Sequence, residues 1–119
     1  MRGSHILVVE DEFLIGAWLS QVMAEHGALV FGPIPTAGDA LRRLDESPIE
    51  GALLDVRLRA GVVTSVAKVL LERHIPFIVV TGYRRESLPP ELKSAPYLPK
   101  PCRQDELIDL ARKTFPLLS

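Results

Sequence analysis

A chain of 119 residues, 47% apolar and 24% charged, is long enough for one domain with a true core and too short for two. A formal net charge of −1 and scattered basic residues argue against nucleic-acid binding, which usually needs a strong basic excess. No apolar run nears the roughly 20 residues that span a bilayer, no signal-peptide pattern opens the chain, and Cys102, the single cysteine, cannot form an internal disulfide; a cytoplasmic setting is expected. Residues 1–4 are set apart as a candidate cloning remnant, leaving 5–119 as one domain.

Short apolar runs alternate with longer amphipathic stretches. Ile6-Leu7-Val8-Val9 reads as a strand buried on both faces. From Glu12 to His26, Ile15, Leu19 and Val22 recur at helical spacing, and Gly27 follows as a C-terminal cap. Ala28–Phe31 predicts a second strand stopped by Gly32-Pro33. Thr36 with Asp39 resembles a capping box, and Ala37, Ala40, Leu41 and Leu44 supply the stripe of a second helix. Gly51–Leu54 is a third strand, closed by Asp55. Val62–Arg73 reads as a third helix, although its β-branched residues weaken the propensity. Phe77–Val80 is a fourth strand and Leu88–Lys93 a short helix with Pro89 and Pro90 in its first turn. Tyr97-Leu98 is a brief fifth strand, and Gln104–Phe115 the last helix, with Leu107, Leu110 and Ala111 on one face. Strands alternating with helices imply an α/β fold, a parallel sheet covered on both sides. Right-handed crossovers then favour the doubly wound, flavodoxin-like strand order 2-1-3-4-5.

Ligands of such sheets bind beyond the carboxyl ends of the strands, where the strand order reverses. Glu10, Asp11 and Glu12 follow the first strand there, Asp55 the third, Thr81 the fourth and Lys100 the fifth. Crowded acids repel one another unless a cation joins them, and hard oxygen ligands in a small site suit Mg²⁺. The ion would let an anionic phosphoryl donor approach Asp55, the nucleophile of an acyl phosphate. Lys100 and Thr81 would bind the transferred oxygens. Singly, each residue has a plainer use: first-turn acids at a helix N-terminus, an aspartate or threonine in a turn, a solvated loop lysine. Their convergence on one rim carries the chemical reading.

In this order and spacing, Val9-Glu10-Asp11, Leu53-Leu54-Asp55-Val56-Arg57-Leu58, Val79-Val80-Thr81-Gly82 and Tyr97-Leu98-Pro99-Lys100-Pro101 resemble the response-regulator receiver family of two-component phosphorelays, over Ile6 to Phe115. The resemblance implies Asp55 as phosphoacceptor and metal ligand and Asp11 as a direct ligand of Mg²⁺ or Mn²⁺. It implies Glu10 acting through water or as a second carboxylate, and the backbone carbonyl of Arg57 completing the set. Thr81 would be the switch hydroxyl, Tyr97 the aromatic switch residue and Lys100 the phosphoryl-binding lysine, with a cis Lys100-Pro101 peptide. The implied partners are a sensor histidine kinase or histidine phosphotransfer protein, and a downstream protein on the face of the fourth helix, fifth strand and fifth helix. Neither nucleic acid nor membrane is expected, and the chain would be a monomer or weak homodimer. It would phosphorylate itself from a donor and lose the group slowly, without being a multiple-turnover enzyme.

The run Phe77 to Tyr83 resembles a subgroup of single-domain receivers whose fourth strand ends in Thr-Gly-Tyr, associated with stress-response relays. Arg59 stands where the family often has proline, and Arg59-Ala60-Gly61 shortens the loop, so a changed loop and third helix are expected. Cys102, often aromatic in the family, is read as a packing residue. Arg57 and Tyr83 are expected to flank the pocket entrance. The alternative is a degenerate receiver that binds proteins without taking up phosphate. A Mg²⁺ phosphatase fits less well, because Arg57 stands where such enzymes carry a second acid, and a flavodoxin-type cofactor protein is weaker still, because it needs a phosphate-cradling loop after the first strand, where Glu10 and Asp11 would repel a phosphate.

Overall fold

The computed structural model describes residues 4–58 and 61–115, with the backbone alone at 57, 58, 61 and 62. β1 (His5–Val9) has Ile6, Leu7, Val8 and Val9 no more than 1% exposed. Apolar side chains on both faces suit a strand covered from both sides. It pairs in parallel with β2 (Leu29–Ile34) on one side and β3 (Gly51–Leu54) on the other. β6 (Phe77–Thr81) and β7 (Tyr97–Pro99) continue the sheet, in the order β2-β1-β3-β6-β7. This is the predicted flavodoxin-like order.

The pleat sorts the core into two layers. Leu7, Val9, Ala52, Leu54, Phe77 and Val79 pack toward α2 (Ala37–Glu46), α3 (Thr64–Glu72) and α4 (Pro90–Lys93). Ile6, Val8, Leu53, Ile78 and Val80 pack on the other face toward α1 (Phe13–Glu25) and α5 (Gln104–Thr114). No helix among the described residues is long and apolar enough to cross a membrane.

Helix ends follow local chemistry. Gly27 closes α1 in the left-handed region, φ 97°, where a side chain would be strained. Thr36 caps α2 by accepting the Asp39 N–H at 3.2 Å, whereas the Asp39 carboxylate pairs forward with Arg42; only half of the predicted capping box forms.

Two expectations need correction. β2 runs on to Ile34 through Gly32-Pro33 instead of stopping before them. An edge strand tolerates proline, and the register slips between Leu7 and Val9 to absorb the extra residue. Gly32 sits at φ 136°, where a Cβ would lie 2.4 Å from the Val8 carbonyl oxygen. Second, α3 starts at Thr64. Val62 belongs to a small antiparallel hairpin, β4 (Arg57–Leu58) with β5 (Gly61–Val62). Its β-branched shape fits extended backbone better than a helix start. Arg59 and Ala60, the predicted point of departure, lie outside the described residues. Ser4 is 3% exposed, and its carbonyl accepts the Leu29 N–H at 2.7 Å.

Candidate functional site

Backbone bonds at the strand ends set the levels of the site. Val9 pairs with Leu54, and Leu54 with Val79; Asp55 N–H donates to the Val9 carbonyl at 2.9 Å. Glu10 and Asp55 therefore leave the sheet side by side. Thr81 pairs with Pro99, and Lys100 N–H donates to the Thr81 carbonyl at 2.9 Å, which starts the lysine side chain next to the hydroxyl. The Lys100-Pro101 peptide is cis, as the resemblance implied.

The side chains meet in a cleft of ≈ 440 Å³ lined by Asp11, Glu12, Asp55, Thr81, Gly82, Tyr83 and Lys100. One carboxylate oxygen from each of Glu10, Asp11 and Asp55 lies within 4.8 Å of the other two. Oxygens around one octahedral Mg²⁺ at ~2.1 Å stand about 3–4 Å apart, so small side-chain movements would let these three share an ion. The chemistry of the donor set, hard and anionic, fits that ion.

Lys100 supplies positive charge among the acids. Its Nζ lies 2.7 Å from Glu10 Oε1, 3.1 Å from Glu12 Oε1 and 3.2 Å from Asp55 Oδ2. Asp55 is 8% exposed, and its Oδ1 accepts the Val56 N–H at 2.8 Å. The carboxylate is thus held by one bond on each oxygen. Glu10 is 2% exposed. Gly16 helps bury it: a Cβ there would fall 2.5 Å from Pro33 Cβ and 3.4 Å from Glu10 Cβ. Burial raises the Glu10 carboxyl from 4.5 to about 7, against the opposing pull of the bonds from Lys100 and the Glu12 N–H. Burial alone would lower Lys100, but the hydrogen bond to Glu10 and the charge of Asp55 outweigh it and hold the ammonium above its usual value. A carboxyl raised by burial next to a charge partner in a cleft is a common mark of a working site.

Thr81 is 2% exposed, and its Oγ1 accepts the Tyr83 N–H at 3.2 Å. The carbonyl of the same Tyr83 accepts the Tyr97 hydroxyl. The Tyr83 backbone therefore links Thr81 to Tyr97. The Arg85 guanidinium stands over the Tyr97 ring at 4.8 Å and donates to the carbonyls of Lys93 at 2.7 Å and Ala95 at 3.2 Å.

The structure thus brings Glu10, Asp11, Asp55, Thr81 and Lys100 together as the sequence reading expected, with Tyr97 one relay away. Arg57 lies in β4, its backbone paired with Val62; its side chain, assigned to the entrance, lies outside the described residues, while Tyr83 does line the cleft. Cys102 packs half-buried in the α1/α5 layer, and burial raises its thiol, which suits a packing role. The sequence reading gave no role to Glu12, although it bonds Lys100 across 88 residues, nor to Arg85. Both contacts depend on distant chain segments, and only the acidity of the run 10–12 hinted at the first.

No protein-family model matches the chain. It is 27% identical to the transcriptional regulatory protein YpdB of Escherichia coli over 117 residues, covering 91% of this chain and 46% of that protein. The chain therefore spans about half the length of the curated relatives it matches. The solution structure of SdrG from Sphingomonas melonis superposes with a TM-score of 0.76 at 33% identity, covering 92% of this chain and 94% of SdrG. The receiver domain of the sensor histidine kinase PA1611 from Pseudomonas aeruginosa, solved with a magnesium ion in its active-site cleft, gives a TM-score of 0.79 at 23% identity, covering 92% of this chain and 96% of that one. Joined to the strand-end motifs and the sheet order β2-β1-β3-β6-β7, a third of its residues held in common with SdrG along nearly the full length of both chains places this chain in the response-regulator receiver family.

Proposed function

We propose that this receiver is phosphorylated on Asp55 with the help of Mg²⁺ or Mn²⁺. The observation that carries the reading is the meeting of the Glu10, Asp11 and Asp55 oxygens within 4.8 Å, beside a lysine and a hydroxyl at the same rim. Asp11 and Asp55 would hold the ion directly, Glu10 directly or through water, and the Arg57 carbonyl would add a backbone oxygen. The magnesium ion in the PA1611 receiver domain supports the same use of this rim. When bound, the ion supplies charge neutralisation and a template for the phosphoryl oxygens.

The chain's own groups do the rest. The bond from Val56 N–H leaves Asp55 Oδ2 facing Lys100, so Oδ2 is the oxygen placed to attack phosphorus. The bond from phosphorus to the donor's leaving group, P–N in a phosphohistidine and P–O in acetyl phosphate, breaks as the bond to Oδ2 forms, and the imidazole or acetate departs. Lys100 and the Thr81 hydroxyl then bind phosphoryl oxygens as charge-assisted partners. The added charge of about −1.5 to −2 draws Thr81 inward, releases the Tyr83 N–H from Oγ1, and so disturbs the Tyr97 hydroxyl bond. The output is a changed surface around α4, β7 and α5, read by a downstream protein, or onward transfer to a histidine. The donor is a sensor histidine kinase or histidine phosphotransfer protein. Membership of the Thr-Gly-Tyr subgroup and a cytoplasmic, monomeric or weakly dimeric state are part of the same reading.

Incubation with acetyl phosphate and Mg²⁺, followed by intact-protein mass spectrometry, tests it. The wild type is expected to gain one phosphoryl group, and Asp55→Asn or chelation with EDTA to abolish the gain. A mass gain that survives Asp55→Asn would move the phosphoacceptor elsewhere; no gain in the wild type would favour the degenerate receiver.

A further inference from the structure

The acid cleft and an apolar groove of ≈ 350 Å³ beside it share two lining residues, Glu12 and Lys100. The ion pair between them, 3.1 Å long, divides the two spaces. Helix α1 does not need this side chain. The Glu12 backbone already does the local work: its N–H donates to Glu10 Oε2 at 3.1 Å, and its carbonyl accepts the Gly16 N–H at 2.9 Å. At the N-cap position, the Glu12 side chain makes no capping bond. It reaches across the cleft mouth instead.

An ammonium has three N–H donors, and three carboxylates surround this one, those of Glu10, Glu12 and Asp55. Phosphorylation of Asp55 Oδ2 removes that oxygen's charge and gives its place on Lys100 to one phosphoryl oxygen, so a second phosphoryl oxygen reaches the ammonium only if Glu10 or Glu12 gives way. The Glu10 side chain is 1% exposed and has no water to retreat into. The Glu12 side chain is 61% exposed, so leaving Lys100 costs it no more than an ordinary surface ion pair.

Resting on the function proposed above, we propose that Glu12 is a positioning residue acting through Lys100. It is an internal anion that occupies the ammonium in the unphosphorylated protein and is displaced by the phosphoryl group. Glu12 thereby weakens anion capture and biases the protein toward its unphosphorylated state. Loss of its charge frees Lys100 for the incoming oxygens and leaves Glu10, Asp11 and Asp55 to hold the metal.

The test is a titration of the full chain with beryllofluoride at saturating Mg²⁺, with bound fluoride read by ¹⁹F NMR. Wild type, Glu12→Gln and Glu12→Ala are compared. Both variants are expected to lower the half-saturating beryllofluoride concentration by about twofold to fivefold, the scale of one partly exposed ion pair. The half-saturating Mg²⁺ concentration, measured without beryllofluoride, should move by less than about twofold. A role confined to helix structure would not tighten anion binding. The gain should shrink at high ionic strength without vanishing, whereas the effect of a diffuse loss of negative charge would be screened away. Unchanged or weaker beryllofluoride binding in both variants, or a gain confined to low salt, overturns the proposal. A wild type that binds no beryllofluoride overturns the proposed function itself, and this inference with it.

Discussion

Lys100→Ala is expected to destabilise the metal-free protein by roughly 2–4 kcal/mol at pH 8, because removing one member of a buried pair leaves the other charge uncompensated. The partner left unpaired is Glu10, only 2% accessible. The loss should shrink as pH falls. Glu10 titrates near 7 in the fold against an ordinary 4.5, so as pH rises the unfolded chain gives up this proton first. Its burial therefore turns against folding progressively between about pH 4.5 and pH 7 and levels off above. Without the Lys100 hydrogen bond the Glu10 value climbs further, and the decline extends to higher pH. Lys100 itself is held above its usual value, so its contribution is constant across this range and is lost only in strong base. Saturating Mg²⁺ should recover part of the stability by supplying another counter-charge. Chemical denaturation at pH 5 and pH 8, with and without Mg²⁺, reads all of this. Equal stability of variant and wild type at pH 8 without Mg²⁺ would show that Glu10 does not depend on the lysine.

Asp11→Asn is expected to weaken Mg²⁺ binding by about 10–100-fold, the scale of losing one charged partner of a metal site. Glu10→Gln should weaken it less if Glu10 acts through water. Proton and metal also compete for Glu10. In the wild type, Mg²⁺ affinity should rise between pH 5 and pH 7, by at most about tenfold per pH unit for one proton released, and flatten above. Trp18, the single tryptophan, lines the groove next to Glu12 and Lys100 and is placed to report the titration by fluorescence. An affinity that is flat from pH 5 to pH 8 would take Glu10 out of the site.

The parts of this molecule that were legible in sequence are those governed by local or periodic rules. Four-residue apolar runs such as Ile6–Val9 and Phe77–Val80 have few ways to be buried except as central strands, and the sheet order then places Glu10, Asp55, Thr81 and Lys100 on one rim. What stayed hidden depends on tertiary context. β2 passes through Gly32-Pro33 because it is an edge strand, a fact known only once the sheet is assembled. Val62 looked helical by apolarity and forms a hairpin instead, since a two-residue pairing is too short to leave a period. The contacts of Glu12 with Lys100 and of Arg85 with Tyr97 join segments that no spacing rule connects. The depth of Glu10 follows from Gly16 admitting Pro33 close to α1, a packing detail with no sequence signature.

Everything proposed for Asp55 requires that one cation touch both it and Asp11. Crystals soaked in Mn²⁺, with the anomalous signal of the metal mapped, settle this. A single strong peak in contact with carboxylate oxygens of both Asp11 and Asp55 is the expected result. A peak bound to one of them alone, or manganese found only elsewhere on the protein, would contradict it.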